Sequence, residues 1–219
     1  MKLSEVFYSI QGEGPHVGKP AIFIRLAGCN LSCEWCDSKF ASRGTQQFDV
    51  SHDDILNVVA KYGNCKHIVW TGGEPLIQAA DIAKTVREFK KAGYFQELET
   101  NGTIAPFPLN ALIDSWNVSP KLHSSGGEPY KRVGEILAVW VTLVRNVTFK
   151  FAIKTDNDLR EIELITSKFQ IPPSQIMLMP VMTDRSPEMY QWVAEVCKKS
   201  GCRFSPRLQI DIYGDRRGV

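Results

Sequence analysis

The stretch Ala21-Ile22-Phe23-Ile24-Arg25-Leu26-Ala27-Gly28-Cys29-Asn30-Leu31-Ser32-Cys33-Glu34-Trp35-Cys36-Asp37 decides the fold. Its first seven residues are an apolar run broken by one charge and ended by Gly28. That length and that stop predict a buried strand. Three cysteines follow at C-x3-C-x2-C spacing, so one loop at the strand end brings three thiols toward one centre. Three thiolates leave a coordination position open to a ligand. No further Cys or His sits at a matching spacing: Cys65 is distant, and His52 and His67 fall in predicted regular structure. Soft thiolates suit zinc and iron–sulfur clusters alike, and spacing alone leaves both open.

Outward from this stretch, short apolar runs alternate with helical patterns. Residues 67–71, 95–100, 115–118, 148–153 and 175–179 read as strands. Ser51 is positioned to cap a helix to about Tyr62, with Asp54 completing a capping box. Residues 81–91 form a helical pattern with Lys90 and Lys91 in its last turn and Gly93 beyond it. Asp156 is the expected cap of a helix to about Phe169. Ser186-Pro187-Glu188 starts another that Gly201 stops. Residues 207–213 read as a last extended segment, and the apolar run within 120–144 is left undecided by periodicity. Strands separated by helices imply parallel pairing through right-handed crossovers. The chain is therefore expected to be α/β, one domain over residues 1–219. Eight βα units usually need about 250 residues. With 219, an incomplete TIM-like barrel of about six units with modified connections fits better. Ligands of such folds collect at the C-terminal strand ends.

Composition narrows the function classes. A net charge of +2 argues against a dedicated nucleic-acid partner. Apolar runs end within seven or eight residues, far short of a membrane span of about 20. The first residues, MKLSEVFYSIQGEG, lack the form of a signal peptide. The expectation is a cytoplasmic protein, and in a reducing compartment three of six cysteines within eight residues read as a metal site. Cys65, Cys197 and Cys202 match no motif and read as buried small side chains.

A second motif, Thr71-Gly72-Gly73-Glu74-Pro75-Leu76, ends the strand at 67–71. Two glycines admit close approach of a ligand to the backbone. Glu74 can accept from an ammonium group, and Pro75 ends the strand. Alone this is also an ordinary turn. Glu99-Thr100-Asn101-Gly102-Thr103 and Ser119-Pro120-Lys121 end the next two strands. Near the N-terminus, Ser9-Ile10-Gln11-Gly12-Glu13-Gly14 precedes the first cysteine strand. Gln11, Glu13 and the backbone at Ile10 and Gly12 could read the edge of a planar heterocycle. Arg25 offers a fork matching a carboxylate, and Thr71 a hydroxyl.

CxxxCxxC followed by GGEP resembles the radical S-adenosylmethionine (SAM) superfamily. The resemblance implies a [4Fe-4S] cluster on Cys29, Cys33 and Cys36, with SAM chelating the fourth iron and yielding a 5′-deoxyadenosyl radical. It assigns SAM contacts to Trp35, Cys36, Asp37, Gly73 and Glu74, to Ser119, Pro120 and Lys121, and to Met179, Pro180, Val181 and Met182. SxQGEG, the segment Phe23–Asp37, LETNGT, SPK and the C-terminal Tyr213-Gly214-Asp215-Arg216-Arg217-Gly218-Val219 closely resemble the 7-carboxy-7-deazaguanine synthase family. That family is a carbon–nitrogen lyase. It contracts 6-carboxy-5,6,7,8-tetrahydropterin to 7-carboxy-7-deazaguanine with loss of ammonia, toward queuosine. The resemblance implies pterin contacts at Ile10, Gln11, Gly12, Glu13, Arg25, Thr71 and the Val219 carboxylate. It implies magnesium on Ser38, an electron donor such as flavodoxin or ferredoxin, and a homodimer. It also makes residues 1–20 a substrate-binding segment and 203–219 a closing segment of a radical SAM core. Two alternatives remain at this point: a glycyl-radical activating enzyme of the same superfamily, and a non-catalytic zinc-binding module.

Overall fold

The structure, a computed structural model, describes residues 1–44, 47–126, 134–181, 183–214 and 216–219. Residues 1–20 contain an element that periodicity does not reveal. Lys2–Ile10 forms strand β1, antiparallel to β2 (Pro20–Leu26). Ser4 and Ser9 are buried on it, so its apolar alternation is faint. There follow α1 (Lys39–Ser42), β3 (Phe48–Asp49), α2 (His52–Ala60), β4 (His67–Gly72), α3 (Ala79–Lys91), β5 (Phe95–Thr100) and β6 (Ser115–Val118). The rest of the chain adds α4 (Ile136–Leu143), β7 (Val147–Ile153), α5 (Asp156–Phe169), β8 (Ile176–Pro180), α6 (Pro187–Ser200), β9 (Arg203–Phe204) and α7 (Leu208–Tyr213).

All nine strands share one sheet in the order β3-β1-β2-β4-β5-β6-β7-β8-β9. From β2 to β9 every neighbouring pair is parallel. The sheet keeps two edges, at β3 and β9, so the barrel is incomplete as expected. The connection from β5 to β6 carries no α-helix, which is one of its modifications.

Side chains alternate across a strand, and here the two faces differ in chemistry. Trp70, Leu98, Trp116, Phe149 and Phe151 are fully buried on the outer face among the helices. Each such side chain contributes about 1.5–3 kcal/mol. Their sequence neighbours Thr71, Glu97, Asn117 and Lys150, also buried, and the half-buried Glu99 face inward. The undecided run becomes α4, pinned where Trp140 Nε1 donates to the Gly102 carbonyl at 3.1 Å and its ring meets Trp116 edge-on.

Three details depart from expectation. Residues 208–213 are helical, not extended, and Leu208 N donates to the Gly12 carbonyl at 3.0 Å. Thr155, in extended conformation, caps α5 in place of Asp156, with Asp158 Oδ2 accepting from Thr155 N at 2.9 Å. Ser51 and Asp54 form the expected capping box. Of the three unassigned cysteines only Cys197 is buried, its thiol pushed up to about 11 by burial and by Cys202; Cys65 and Cys202 are half-buried at the core's edge.

Candidate active site

The C-terminal ends of the parallel strands open into a cavity of about 460 Å³. That is within the range of about 300–1,000 Å³ usual for small-molecule sites. Each long parallel strand contributes to its wall: Arg25, Thr71, Glu99, Asn117, Lys150 and Met179 come from successive strands. Cys29, Cys33 and Cys36 line the same cavity. Burial pushes the Cys29 thiol up, and Glu74, Cys33 and Cys36 add to this, while a 3.4 Å hydrogen bond from Leu31 N opposes it. Three thiols crowded beside a buried carboxylate favour a positively charged centre that takes up their charge. Among the described residues no three His, Cys, Asp or Glu side chains converge to hold one metal ion. Three cysteines each holding a different iron do not need to.

The cysteine loop is fixed through GGEP. A Cβ on Gly73 would stand 2.0 Å from the Gly28 carbonyl oxygen, so only glycine lets the two strand ends meet. Glu74 N donates to that same carbonyl at 2.8 Å. The Glu74 side chain is fully buried and does not line the cavity. It accepts from Leu76 N at 3.0 Å, Thr100 Oγ1 at 2.8 Å and Asn101 N at 2.7 Å. Its oxygens bracket the β4 and β5 ends from behind the cavity wall. Burial raises its carboxyl although these hydrogen bonds oppose the rise. Asn101 in turn donates to Asn30 at 2.9 Å, and Asn30 to Thr103 at 2.8 Å, tying the cysteine loop to the ETNGT loop.

On the far wall, Trp35 packs on Ala152, Met179 and Val181, and its Nε1 donates to the Ser124 carbonyl at 3.1 Å. Lys121 stands 5.7 Å over the Trp35 ring and donates to Ser119 Oγ at 3.0 Å. Asp37, Gly73, Ser119, Lys121 and Met179 line the cavity; Pro120, Pro180 and Val181 do not. The last three stand behind the wall, and Val181 shares an apolar cluster with Trp35. Met182 lies outside the described residues.

Ile10, Gln11, Gly12, Glu13, Arg25, Thr71, Ser38 and Val219 all border the cavity. The Gln11 side chain is held by its neighbours within the cavity wall. Its Nε2 donates to Glu97 at 2.9 Å and Glu99 at 3.2 Å, and its Oε1 accepts from Glu13 N at 3.1 Å. Glu13 meets Lys150, Arg207 Nη1 at 3.1 Å and Gln209 Nε2 at 2.9 Å. Burial works to raise its carboxyl, but Lys150 and Arg207 prevail and hold it at about 2. Gly12 is required there, because a Cβ would fall 1.6 Å from Gln209 Oε1. Arg25 donates from Nε to Glu5 at 2.8 Å, leaving its two terminal nitrogens, beside the rings of Phe7 and Phe40, for another partner. Ser38 is buried, with Oγ 3.8 Å from Cys36 Sγ, and donates to Asp37 Oδ1 at 3.2 Å.

Three cavity residues escaped the sequence reading, Asn117, Lys150 and Arg207, as did Glu97 behind them. One signal was available. TFKFAI puts a charge inside a strand whose alternate positions are apolar, and QELET sets two charges about Leu98. Glu97 is wholly buried between His16 Nδ1 at 3.2 Å and His67 Nε2 at 3.0 Å, with donors from Gln11 and Asn117. Buried polar atoms without partners cluster at the same cavity: Ser9 Oγ, Asn117 Oδ1, Arg207 Nε and Gln209 Oε1. Such atoms mark a place prepared for a polar ligand.

A cysteine triad at the mouth of an incomplete parallel barrel, backed by a glycine-tight GGEP turn, defines a class. The model of the Radical SAM superfamily matches residues 23–193, and the chain belongs to that superfamily. Within it, the chain belongs to the 7-carboxy-7-deazaguanine synthase family. The 7-carboxy-7-deazaguanine synthase of Pyrobaculum aerophilum is 32% identical, covering 100% of this chain and 97% of its own. That of Rhodopirellula baltica is 33% identical over 99% and 88%. The crystal structure of QueE from Escherichia coli superimposes with a TM-score of 0.73 at 26% identity, over 93% of this chain and 92% of that one. The structure of anSMEcpe with bound AdoMet and a peptide shares the fold alone, at 14% identity and a TM-score of 0.56, over 79% and 56%.

Proposed function

We propose that the chain contracts 6-carboxy-5,6,7,8-tetrahydropterin to 7-carboxy-7-deazaguanine with release of ammonia, as a radical SAM lyase toward queuosine. The observation that carries this reading is one cavity bordered by the three cysteines, the QGEG loop and Arg25 together. An activating enzyme acting on a protein has no use for a heterocycle-sized polar recess between buried carboxylates.

Cys29, Cys33 and Cys36 would hold the cluster, and Trp35, Gly73, Ser119, Lys121 and Met179 would border the cosubstrate. When bound, these groups supply a 5′-deoxyadenosyl radical that takes a hydrogen atom from the substrate. Glu13 accepts from the amino-pyrimidine edge, Arg25 clamps the substrate carboxylate, and Thr71 bonds the ring from below. Ser38 Oγ, with substrate oxygens and water, makes a magnesium site of the kind that ion prefers. The Val219 carboxylate and residues 203–219 close the recess over segment 1–20, with Arg207 as the joint between them. All of 1–219 acts as one domain. We also place the protein in the cytoplasm as a homodimer that takes electrons from a flavodoxin- or ferredoxin-type donor and binds no nucleic acid. Among the described residues no helix is long and apolar enough to cross a membrane.

The test is one anaerobic assay with the pterin, SAM and reductant, read by product absorbance. Turnover supports the reading. SAM cleavage only on adding a protein partner would replace it with the activating-enzyme alternative.

A further inference from the structure

Lys150 is a cation in the middle of β7, flanked by Phe149 and Phe151 on the opposite face. Its side chain is 7% exposed, and it ends against Glu13. A buried ammonium costs several kcal/mol unless paired, so its retention here calls for a role. Two carboxylates compete for it. Glu13 touches Lys150 and also has Arg207 from the segment before α7, with Gln209. Glu99, from β5, takes its hydrogen bonds from neutral groups, Thr71 Oγ1 at 2.8 Å and Gln11 Nε2 at 3.2 Å. Glu97 beside it is served by His16, His67, Gln11 and Asn117. All of Glu13, Glu99 and Lys150 line the cavity.

We infer that Lys150 is a positioning residue that assigns charge within the site: its ammonium commits Glu13 to the anionic, hydrogen-bond-accepting state and leaves Glu99 the more readily protonated of the two. The consequence is selectivity for a heterocycle edge that presents N–H groups to Glu13, a role resting on the proposed pterin reading. The electrostatics agree in direction. Burial would raise both carboxyls; Lys150 and Arg207 pull Glu13 below the usual range, while Glu99 stays above it, with Glu13 and Glu97 adding to the rise and Lys150 opposing. Lys150 itself stays charged, because Glu13 and Glu99 outweigh its burial.

The experiment compares wild type, Lys150→Met, Lys150→Arg, Glu13→Gln and the Glu13→Gln/Lys150→Met pair as cluster-loaded protein. Infrared spectra of protein with isotope-labelled glutamate, taken from pH 5 to 8, report carboxyl ionisation without any ligand. The expected result is that wild type and Lys150→Arg show only the protonated signal of the raised Glu74 and Glu99, and that the signal gained in Lys150→Met as pH falls is larger than in the Glu13→Gln/Lys150→Met pair, the difference being Glu13. Substrate affinity should fall about tenfold to a hundredfold in Lys150→Met. The loss should be greatest at the acid end, partly restored in Lys150→Arg, and no larger in the double variant than in Glu13→Gln alone. If Lys150→Met fails to fold, the double variant, which leaves no ammonium without its anion, carries the test: a substrate affinity clearly below that of Glu13→Gln alone would overturn the inference. A Lys150→Met spectrum identical to wild type would overturn it too. A wild type that shows these spectra yet binds no pterin would sink the proposed substrate and leave the Lys150 assignment standing.

Discussion

Arg25 is anchored by one carboxylate and presents the rest of its fork to the cavity. Its Nε is committed to Glu5 at 2.8 Å, and Phe7 and Phe40 flank the guanidinium, so the remaining nitrogens are held in a fixed plane at the cavity wall. A planar fork held this way matches a carboxylate in a bidentate manner. Arg25→Ala should therefore weaken substrate binding by about tenfold to a hundredfold, the loss of one charged hydrogen bond of about 1.5–3 kcal/mol. SAM cleavage without substrate should change much less. Arg25→Lys should recover only part of the affinity, because a point charge cannot reproduce the fork. Titration of substrate into the cluster-loaded variant checks this; unchanged affinity would mean that Arg25 serves only Glu5. Ser38 makes a separate case. Its hydroxyl donates to Asp37 and lies beside Cys36, so it is poised at the boundary between cluster and substrate. Ser38→Ala should raise the magnesium needed for half-maximal rate and leave iron content unchanged. A wild-type magnesium response in the variant would make Ser38 a turn residue.

At the scale of elements, strands buried on both faces were the most legible part of the chain. Residues 95–100 and 115–118 are strands over the expected ranges, and β2, β4, β7 and β8 shift by a residue or so. Two elements at the ends of the chain were not legible. β1 hides Ser4 and Ser9, and α7 carries Leu208, Ile210 and Ile212 at alternate positions, a strand-like pattern on a helix held by Gly12 and Glu13. The site followed the same division. The cysteines and glycines were readable because their spacing has few other uses. For Glu74 and Gln11, spacing named the residue without saying which neighbours engage its oxygens and nitrogens. Two variants test how the elements are joined. Gly73→Ala forces a Cβ to within 2.0 Å of the Gly28 carbonyl oxygen, so the cysteine loop must move. Iron incorporation should drop severalfold while the helical circular dichroism signal stays, and full iron content would show that the loop accommodates the methyl. Arg207→Ala removes a guanidinium that holds both Glu13 and Asp37, at 3.1 and 2.9 Å. Residues 208–219 should then become accessible to protease, with substrate affinity down at least about tenfold, the scale of one charged hydrogen bond. Unaltered protease resistance would count against a joint at Arg207.

For the molecule as a whole, the buried carboxylates pull stability in opposite directions with pH. Glu74 and Glu99 sit above the ordinary value of 4.5, chiefly because of burial. Between their raised values and 4.5 the folded protein holds more protons than the unfolded chain, so lowering the pH through that window adds stability. Glu13, at about 2, and Glu97 lie below 4.5: burial raises both, but Lys150 and Arg207 overcome it for the first, His16 and His67 for the second. Below 4.5 it is the unfolded chain that takes up protons, and stability is lost as the pH falls toward 2. The lowered carboxyls of Asp54, Glu88, Asp184 and Glu195 are fully exposed, and solvent screening makes them minor. The urea midpoint of cluster-free protein, which avoids acid loss of iron, should therefore rise from pH 7.5 to about 5 and fall steeply below 4.5. Glu13→Gln should lower the midpoint near neutrality, because it leaves Lys150 without its anion, and should flatten the acid limb. Glu99→Gln should shrink the rise between pH 7.5 and 5, leaving the part due to Glu74. A midpoint that declines steadily from neutral pH downward, in wild type and Glu99→Gln alike, would show that Glu74 and Glu99 titrate as ordinary carboxyls and that the charge arrangement described for the barrel interior is wrong.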